Sequence, residues 1–139
     1  MKDYKHILVT VNLANEDDDI VTLQRAKELA RESGAALTVL HAIDSLRGCI
    51  AFGYSGVSDV EARLRAKASD AMAKLGAEMG IPADQQVIRI GLRKPVILEE
   101  ADKLGVDLIV VGNRGHKLGS MASSVLHHAP CDTLAVHIN

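Results

Sequence analysis

Residues 106–120 read VDLIVVGNRGHKLGS, an aliphatic run followed at once by a glycine-rich segment. The run 107–111 is short, apolar and β-branched, which is typical of a strand buried on both faces of a sheet. Three glycines follow within eight residues, and Ser120 stands where the next helix is expected to begin. A buried strand that leads through a glycine-rich turn into a helix is a repeating unit of parallel α/β folds.

Four further aliphatic runs predict the other strands. They lie at residues 5–11, 36–43, 86–90 and 133–138. The segments between them have the apolar periodicity of helices. The predicted helices begin near residues 16–19 and end at 33–34, run over 57–79, begin at Pro95 and end at Gly105, and run over 120–128.

This alternation along the whole chain predicts a doubly wound α/β sandwich, with a parallel sheet and helices on both faces. A chain of 139 residues predicts one domain, 1–139. The most regular helix is expected to pack one apolar stripe on the sheet. The stripe consists of Val57, Val60, Leu64, Ala68, Ala71, Leu75 and Met79. Residues 44–56 interrupt the alternation and predict a surface loop.

Composition excludes several classes of partner. Aromatic residues make up 2% of the chain and the net charge is −2, so neither base stacking nor a basic field favours nucleic acid or a membrane surface. The two cysteines form no C-x-x-C pair, and no secretory signal or membrane-length apolar run is visible. We therefore expect a cytoplasmic protein.

The loops at the carboxyl ends of the strands are the expected ligand site, because ligands of open α/β sheets bind there. The richest such loop is 112–120, whose glycines let backbone amides approach an anion. Arg114 and Lys117 add positive charge, and Ser120 is expected to cap the next helix. The spacing matches neither G-x-G-x-x-G nor the Walker A pattern. A phosphate site and a plain glycine-rich turn both remain open.

No metal site is predicted. His127, His128, Cys131 and His137 are candidate ligands, but neighbouring helical residues point to different sides, and the spacing is not that of a zinc site. The acidic run 16–19 is interpreted as a solvated helix start, favoured by the helix dipole, and not as a magnesium site.

No catalytic residue is predicted either. Serines occur near His116, His127 and His128, but no G-x-S-x-G elbow is present. His41, at the end of the second strand, is expected to be half-buried and hydrogen-bonded. We therefore expect a protein that is not an enzyme.

Four stretches of the chain resemble the universal stress protein family. They are YKHILV at 4–9, LHAID at 40–44, VDLIVVGNRG at 106–115 and SVLHHAPC at 124–131. The resemblance implies a three-layer sandwich of the adenine-nucleotide alpha-hydrolase-like type, whose five parallel strands have the order 3-2-1-4-5. It also implies a homodimer formed partly by pairing of the last strands, 133–138.

The ATP-binding members of that family carry G-x2-G-x9-G-[ST] after the fourth strand and an aspartate at the end of the first. Here only residues 116–118 fill the second gap, and Asn12 stands where the aspartate is usual. The resemblance implies that the base lies against the first two strands and the phosphates over the glycine loop. The implied contact residues are Val11, Asn12, Ala42, Gly112, Asn113, Gly115, Gly119 and Ser120.

The family resemblance leaves two functions open. The first is a dimeric stress-response module that binds ATP or another adenine nucleotide, with magnesium only alongside the nucleotide, and the short loop favours fewer phosphates. The second is a member that binds no nucleotide and acts as a dimeric interaction scaffold with an unknown protein partner. A phosphate-transferring enzyme is a weaker alternative.

Overall fold

The five predicted strands form one sheet in a computed structural model that describes residues 3–46, 52–53, 55–115 and 117–139. The strands are β1 His6–Thr10, β2 Ala36–Ile43, β3 Gln86–Ile90, β4 Leu108–Arg114 and β5 Asp132–Ile138. The α-helices are α1 Glu16–Ser33, α2 Val57–Met79, α3 Arg93–Leu104 and α4 Ser120–His128. A short 3₁₀ turn, Ala83–Gln85, precedes β3. The predicted loop 44–56 falls partly outside the described residues.

The strand order is β3-β2-β1-β4-β5 and every neighbouring pair is parallel, which confirms the order 3-2-1-4-5. β1 lies in the middle, where Leu8 pairs with Thr38 of β2 and with Ile109 of β4. Because both faces of this strand are covered, Ile7, Leu8 and Val9 are all fully buried. Burial on both faces explains why the sequence of β1 is a continuous apolar run.

Helices cover both faces of the sheet and make three layers. α1 and α2 pack on the face that carries Ile7 and Val9, and α3 and α4 pack on the face that carries Leu8. Side chains of a strand alternate between faces, so each strand contributes to both cores. The connections from β1 and β4 therefore leave on opposite sides, β1 toward α1 and β4 toward α4.

β4 is longer than predicted. The sequence predicts its end at Val111, but the ladder continues through Gly112, Asn113 and Arg114, which pair with β5. The sequence does not indicate a strand here, because none of these three residues is a large apolar one. They form a strand because β5 supplies their hydrogen-bond partners. α3 likewise begins earlier than Pro95, at Arg93, and this proline lies within the first helical turn, where its missing N–H costs nothing.

The predicted apolar stripe of α2 is only partly covered. Ala68 and Leu75 are buried, whereas Val60 and Leu64 are 38% and 39% exposed. A helix of 23 residues is about 35 Å long, but strands of five to eight residues span about 17–27 Å. α2 is therefore longer than the strands beneath it, although Val57 in its first turn is buried. None of the helices in the described residues is both long and apolar enough to cross a membrane.

Candidate functional site

A cavity of about 250 Å³ lies at the carboxyl ends of β1, β2 and β4. It is at the point where β1 and β4 send their connections to opposite faces, which is where ligands of open α/β sheets bind. Four of the eight predicted contact residues line it: Val11, Asn12, Ala42 and Gly112. The other four lie nearby in the chain but do not line the cavity: Asn113, Gly115, Gly119 and Ser120.

One wall of the cavity is apolar. Val11, Leu40, Ala42 and Ile97 are all at least nine-tenths buried, and together they offer a surface against which a flat ring can pack. The backbone of Val11 is held in place, since its N–H donates to the Leu40 carbonyl at 3.0 Å and its carbonyl oxygen lies 3.0 Å from Nδ1 of His41. The prediction that His41 is half-buried and hydrogen-bonded is confirmed.

The loop after β1 is folded around the side chain of Asn12. Oδ1 of Asn12 accepts hydrogen bonds from the backbone N–H groups of Ala14 at 2.9 Å and Asn15 at 3.4 Å. Asn15 in turn caps α1, because its Oδ1 accepts from the N–H of Asp18. Since the loop engages the oxygen of Asn12, the Nδ2 group is what this residue can direct at a ligand.

Asp19 fixes the same loop from α1. Its Oδ1 accepts from the N–H of Asn12 at 3.0 Å and its Oδ2 from the N–H of Leu13 at 2.8 Å. The side chain is buried, and burial raises the pKa of the Asp19 carboxyl, although the two hydrogen bonds oppose this. The interpretation of 16–19 as a solvated helix start is therefore wrong for Asp19, because only the fold brings the loop back over it.

Leu13 has a left-handed backbone, with φ at 60°. This conformation costs a residue with a side chain about 1 kcal/mol or more. The strain persists because Asp19 holds the N–H of Leu13 and the core of the α1 and α2 face holds its side chain. A strained residue beside a cavity is typical of a functional loop.

Gly112 is a packing glycine. A Cβ atom at this position would lie 2.7 Å from Oγ1 of Thr22 and 2.7 Å from Cδ1 of Ile138. Both distances are too short for real contacts, so α1 can approach β4 closely only because residue 112 has no side chain. Because Gly112 has no side chain, its backbone also faces the cavity. The same residue therefore allows close packing and lets a ligand approach the backbone.

The loop after β4 is closed by a side chain. Oδ1 of Asn113 accepts from the N–H of Gly119 at 2.7 Å, and Nδ2 of Asn113 donates to the carbonyl of Lys117 at 3.1 Å. The amide of Gly119 is thus engaged within the loop. His116 lies outside the described residues, so the predicted gap 116–118 is described only in part.

The N-cap of α4 differs from the prediction, although the helix begins at Ser120 as expected. The sequence predicts Ser120 as the N-cap, but Gly119 occupies that position and Ser120 is the first helical residue. No side chain caps this helix. The carbonyl of Gly119 accepts from the N–H of Ser123 at 2.9 Å, and Asn113 holds the amide of Gly119, so that Gly119 and not Ser120 takes the cap position.

Two arginines line the cavity. Arg114, the last residue of β4, forms an ion pair with Asp18 through Nη2 and donates through Nη1 to the carbonyl of Asn139 at 3.1 Å. Arg93, the first residue of α3, was not among the predicted contacts. Its position just after β3 could have indicated this role, since the carboxyl ends of all strands in a parallel sheet lie along the same edge.

The described part of the chain contains no cluster of three His, Cys, Asp or Glu side chains suited to a metal. Two of the candidate ligands have backbone partners on their own helix. Nδ1 of His127 lies 2.8 Å from the Ser123 carbonyl, and Nδ1 of His128 lies 2.8 Å from the Ser124 carbonyl. Both rings are exposed on α4.

Comparison with known proteins identifies the class. The model of the universal stress protein family matches residues 3–137. Universal stress protein A homolog 2 of Coxiella burnetii is 38% identical over 144 residues, which cover 99% of this chain and 98% of that protein. The chain therefore belongs to the universal stress protein family.

Solved structures agree with the fold. The universal stress protein UspA from Lactobacillus plantarum has a TM-score of 0.77 at 26% identity, with 98% of this chain and 99% of that chain covered. The universal stress protein from Archaeoglobus fulgidus in complex with dAMP has a TM-score of 0.65 at 20% identity, with 97% and 99% covered. At this identity the second likeness shows the fold alone.

Proposed function

We propose that this protein binds an adenine nucleotide in the cavity at the carboxyl ends of β1 and β4. The observation that carries the proposal is the convergence of Val11, Asn12, Ala42 and Gly112, from the carboxyl ends of three strands, on one cavity. The dAMP bound by the Archaeoglobus relative supports the choice of an adenine nucleotide. The apolar wall suits the base, and the side that carries Gly112 and Arg114 suits the phosphate.

The proposal favours a nucleoside monophosphate over ATP. Pockets for drug-sized ligands usually measure about 300–1,000 Å³, and this cavity of about 250 Å³ lies just below that range. Only residues 116–118 separate Gly115 from Gly119, and the amide of Gly119 already has a partner in Asn113. Both observations reduce the space and the donors for further phosphates. Magnesium enters the proposal only together with a nucleotide.

The proposed action is regulatory and cytoplasmic, without a catalytic cycle. A ligand that binds one arrangement of the loop after β4 better than another shifts the population toward that arrangement. The hydrogen bond from Gly119 to Asn113 lies in this loop, so a nucleotide that favours another arrangement of this hydrogen bond would change the surface that a partner protein meets.

Calorimetric titration with ATP, ADP and AMP tests the proposal. We expect saturable binding, with AMP bound at least as tightly as ATP. Ala42→Leu fills the apolar wall and should weaken AMP binding about tenfold or more, whereas Ala77→Leu on the exposed side of α2 should leave it unchanged. Absence of saturable binding by all three nucleotides would remove the proposal.

The second candidate is a dimeric scaffold that binds no nucleotide. It is favoured by the loop after β4, which is closed on Asn113. Dimerisation itself is supported by β5, which is an edge strand of the sheet. Leu134 and Val136 of β5 are only partly buried, and the buried hydroxyl of Thr133 has no hydrogen-bond partner among the described residues. We propose that residues 133–138 pair antiparallel with a second copy across a two-fold axis in either case.

Light scattering at micromolar concentration tests the dimer. The wild type should be dimeric, and His137→Asp, which places a like charge on the pairing edge of both copies, should shift it toward monomer. His127→Asp, which changes another exposed histidine, on α4, is the matched control and should remain dimeric. A monomeric wild type contradicts this part of the proposal.

A further inference from the structure

The cavity is lined by equal numbers of acidic and basic residues. Asp18 and Asp19 contribute two carboxylates, and Arg93 and Arg114 contribute two guanidinium groups. Asp19 is committed to the loop after β1, because both of its oxygens accept backbone hydrogen bonds. Asp18 is therefore the carboxylate of this set that can leave its partner when a ligand binds.

Asp18 is held against Arg114. The carboxylate of Asp18 is 15% exposed and pairs with Nη2 of Arg114, whose side chain is 55% exposed. Arg93 forms no ion pair among the described residues. The one arginine at the end of β4, beside Gly112, is thus already occupied by an anionic group of the protein itself.

We infer that Asp18 occupies the place of a ligand's phosphate on Arg114, and so acts as an internal competitor that tunes the affinity for phosphate-bearing nucleotides. The inference rests on the proposed function and assigns its anion subsite. A phosphate group offers three acceptor oxygens and up to two negative charges to the planar guanidinium, whereas the carboxylate offers two oxygens and one charge.

A phosphate can replace Asp18 on Arg114 because the ion pair between these two residues is weak. An ion pair with one half-exposed partner contributes little net stability, since solvent screens it and ordering the side chains costs entropy. When a nucleoside monophosphate displaces Asp18 from Arg114, the carboxylate moves into solvent at the start of α1. Asp18 therefore lowers affinity for the phosphate without blocking the apolar wall.

Two asparagine variants test the inference. Asp18→Asn removes the competing charge, and Asp17→Asn makes the same charge change one residue away on an exposed side chain outside the cavity. The measured quantity is the preference for AMP over adenosine, taken as the ratio of their dissociation constants by calorimetry. We expect Asp18→Asn to raise this preference about 3- to 10-fold at low salt and less at high salt, and Asp17→Asn to change it less than twofold.

Arg114→Gln is the opposite variant and should lower the preference about tenfold, toward equal binding of AMP and adenosine. Adenosine binding and circular dichroism check that it folds. An unchanged or lowered preference in Asp18→Asn, or an equal rise in Asp17→Asn, would overturn the inference while the proposed function stands. If the wild type binds neither ligand, the proposed function fails and the inference fails with it.

Discussion

The two loops that border the cavity are held by different chemistry. The loop after β1 is fixed by a buried carboxylate, Asp19, which accepts two backbone N–H groups. The loop after β4 is fixed by a neutral side chain, Asn113, which accepts one N–H from Gly119 and donates to one carbonyl. The hydrogen bonds to Asp19 lie inside the protein, whereas those of Asn113 are exposed to solvent.

This difference separates a rigid side of the site from an adaptable one. A hydrogen bond to a buried charge contributes more than an exposed neutral one, because water competes little with the first and effectively with the second. The loop after β1 is thus suited to hold the base in a fixed position. The loop after β4 is suited to rearrange around whatever the nucleotide carries beyond the ribose.

The largest effect is expected from Asp19→Ala. The N–H groups of Asn12 and Leu13 lose their acceptors, and the left-handed Leu13 loses a constraint, so unfolding should require about 2–3 kcal/mol less free energy. Urea denaturation measures this. Asp17→Ala, on the exposed side of the same turn, should change stability by less than about 0.5 kcal/mol. Equal losses in both variants would show that the loop after β1 is not fixed by Asp19.

Gly112→Ala should have the next largest effect. The added methyl would meet Thr22 and Ile138, and such overpacking costs about 1–3 kcal/mol. Gly119→Ala should cost much less, because its Cβ would meet only Oδ1 of Asn113 at 3.3 Å and the backbone is in an ordinary region. Thermal unfolding compares the two variants, and a Gly119→Ala that is the more damaging would contradict the assignment of Gly112 as the packing glycine.

Asn113→Ala should lower stability by about 1 kcal/mol, because an exposed, neutral pair of hydrogen bonds is lost. Hydrogen exchange at the Gly119 amide should accelerate, while exchange at Leu13, held by Asp19, should not. Asn113→Asp keeps the acceptor for Gly119 and should retain most of its protection. If Asn113→Ala left the Gly119 amide protected, the loop would be held by something other than this side chain.

The smallest effect concerns pH. Burial raises the pKa of Asp19 above its ordinary value, so the folded protein binds more protons than the unfolded chain between those two values. The contribution of this carboxyl to stability therefore falls as pH rises through that window. In urea titrations across acidic pH, the stability of wild type relative to Asp19→Asn should decline with rising pH. A relative stability that increases with pH would mean a lowered pKa.

Much of the fold could be predicted from local pattern. The five strands appear as aliphatic runs because both faces of each inner strand are covered, and α1 ends at Gly34 as predicted because that residue takes the left-handed cap, with φ at 68°. The end of β4 could not be predicted, since Gly112 to Arg114 are strand residues only through pairing with β5. The partial exposure of Val60 and Leu64 on α2 could not be predicted either, since apolar periodicity does not show which parts of a helix the fold covers.

The candidate site, like the fold, could be predicted only in part. Val11, Asn12, Ala42 and Gly112 were predicted from the resemblance to the universal stress protein family, and they converge because the ends of parallel strands meet at one edge. The role of Asp19 could not be predicted, because an acidic helix start is favourable in solvent and only the tertiary fold places a loop over it.

The central claim is that the ends of β1, β2 and β4 form one ligand site, and a titration with AMP followed by amide chemical shifts tests it most directly. We expect saturable shifts at Asn12, Ala42 and Gly112 with one common dissociation constant, and none at the exposed residues Val60 and Leu64 of α2. Shifts at only one of these strand ends, or none at millimolar AMP, would contradict the account.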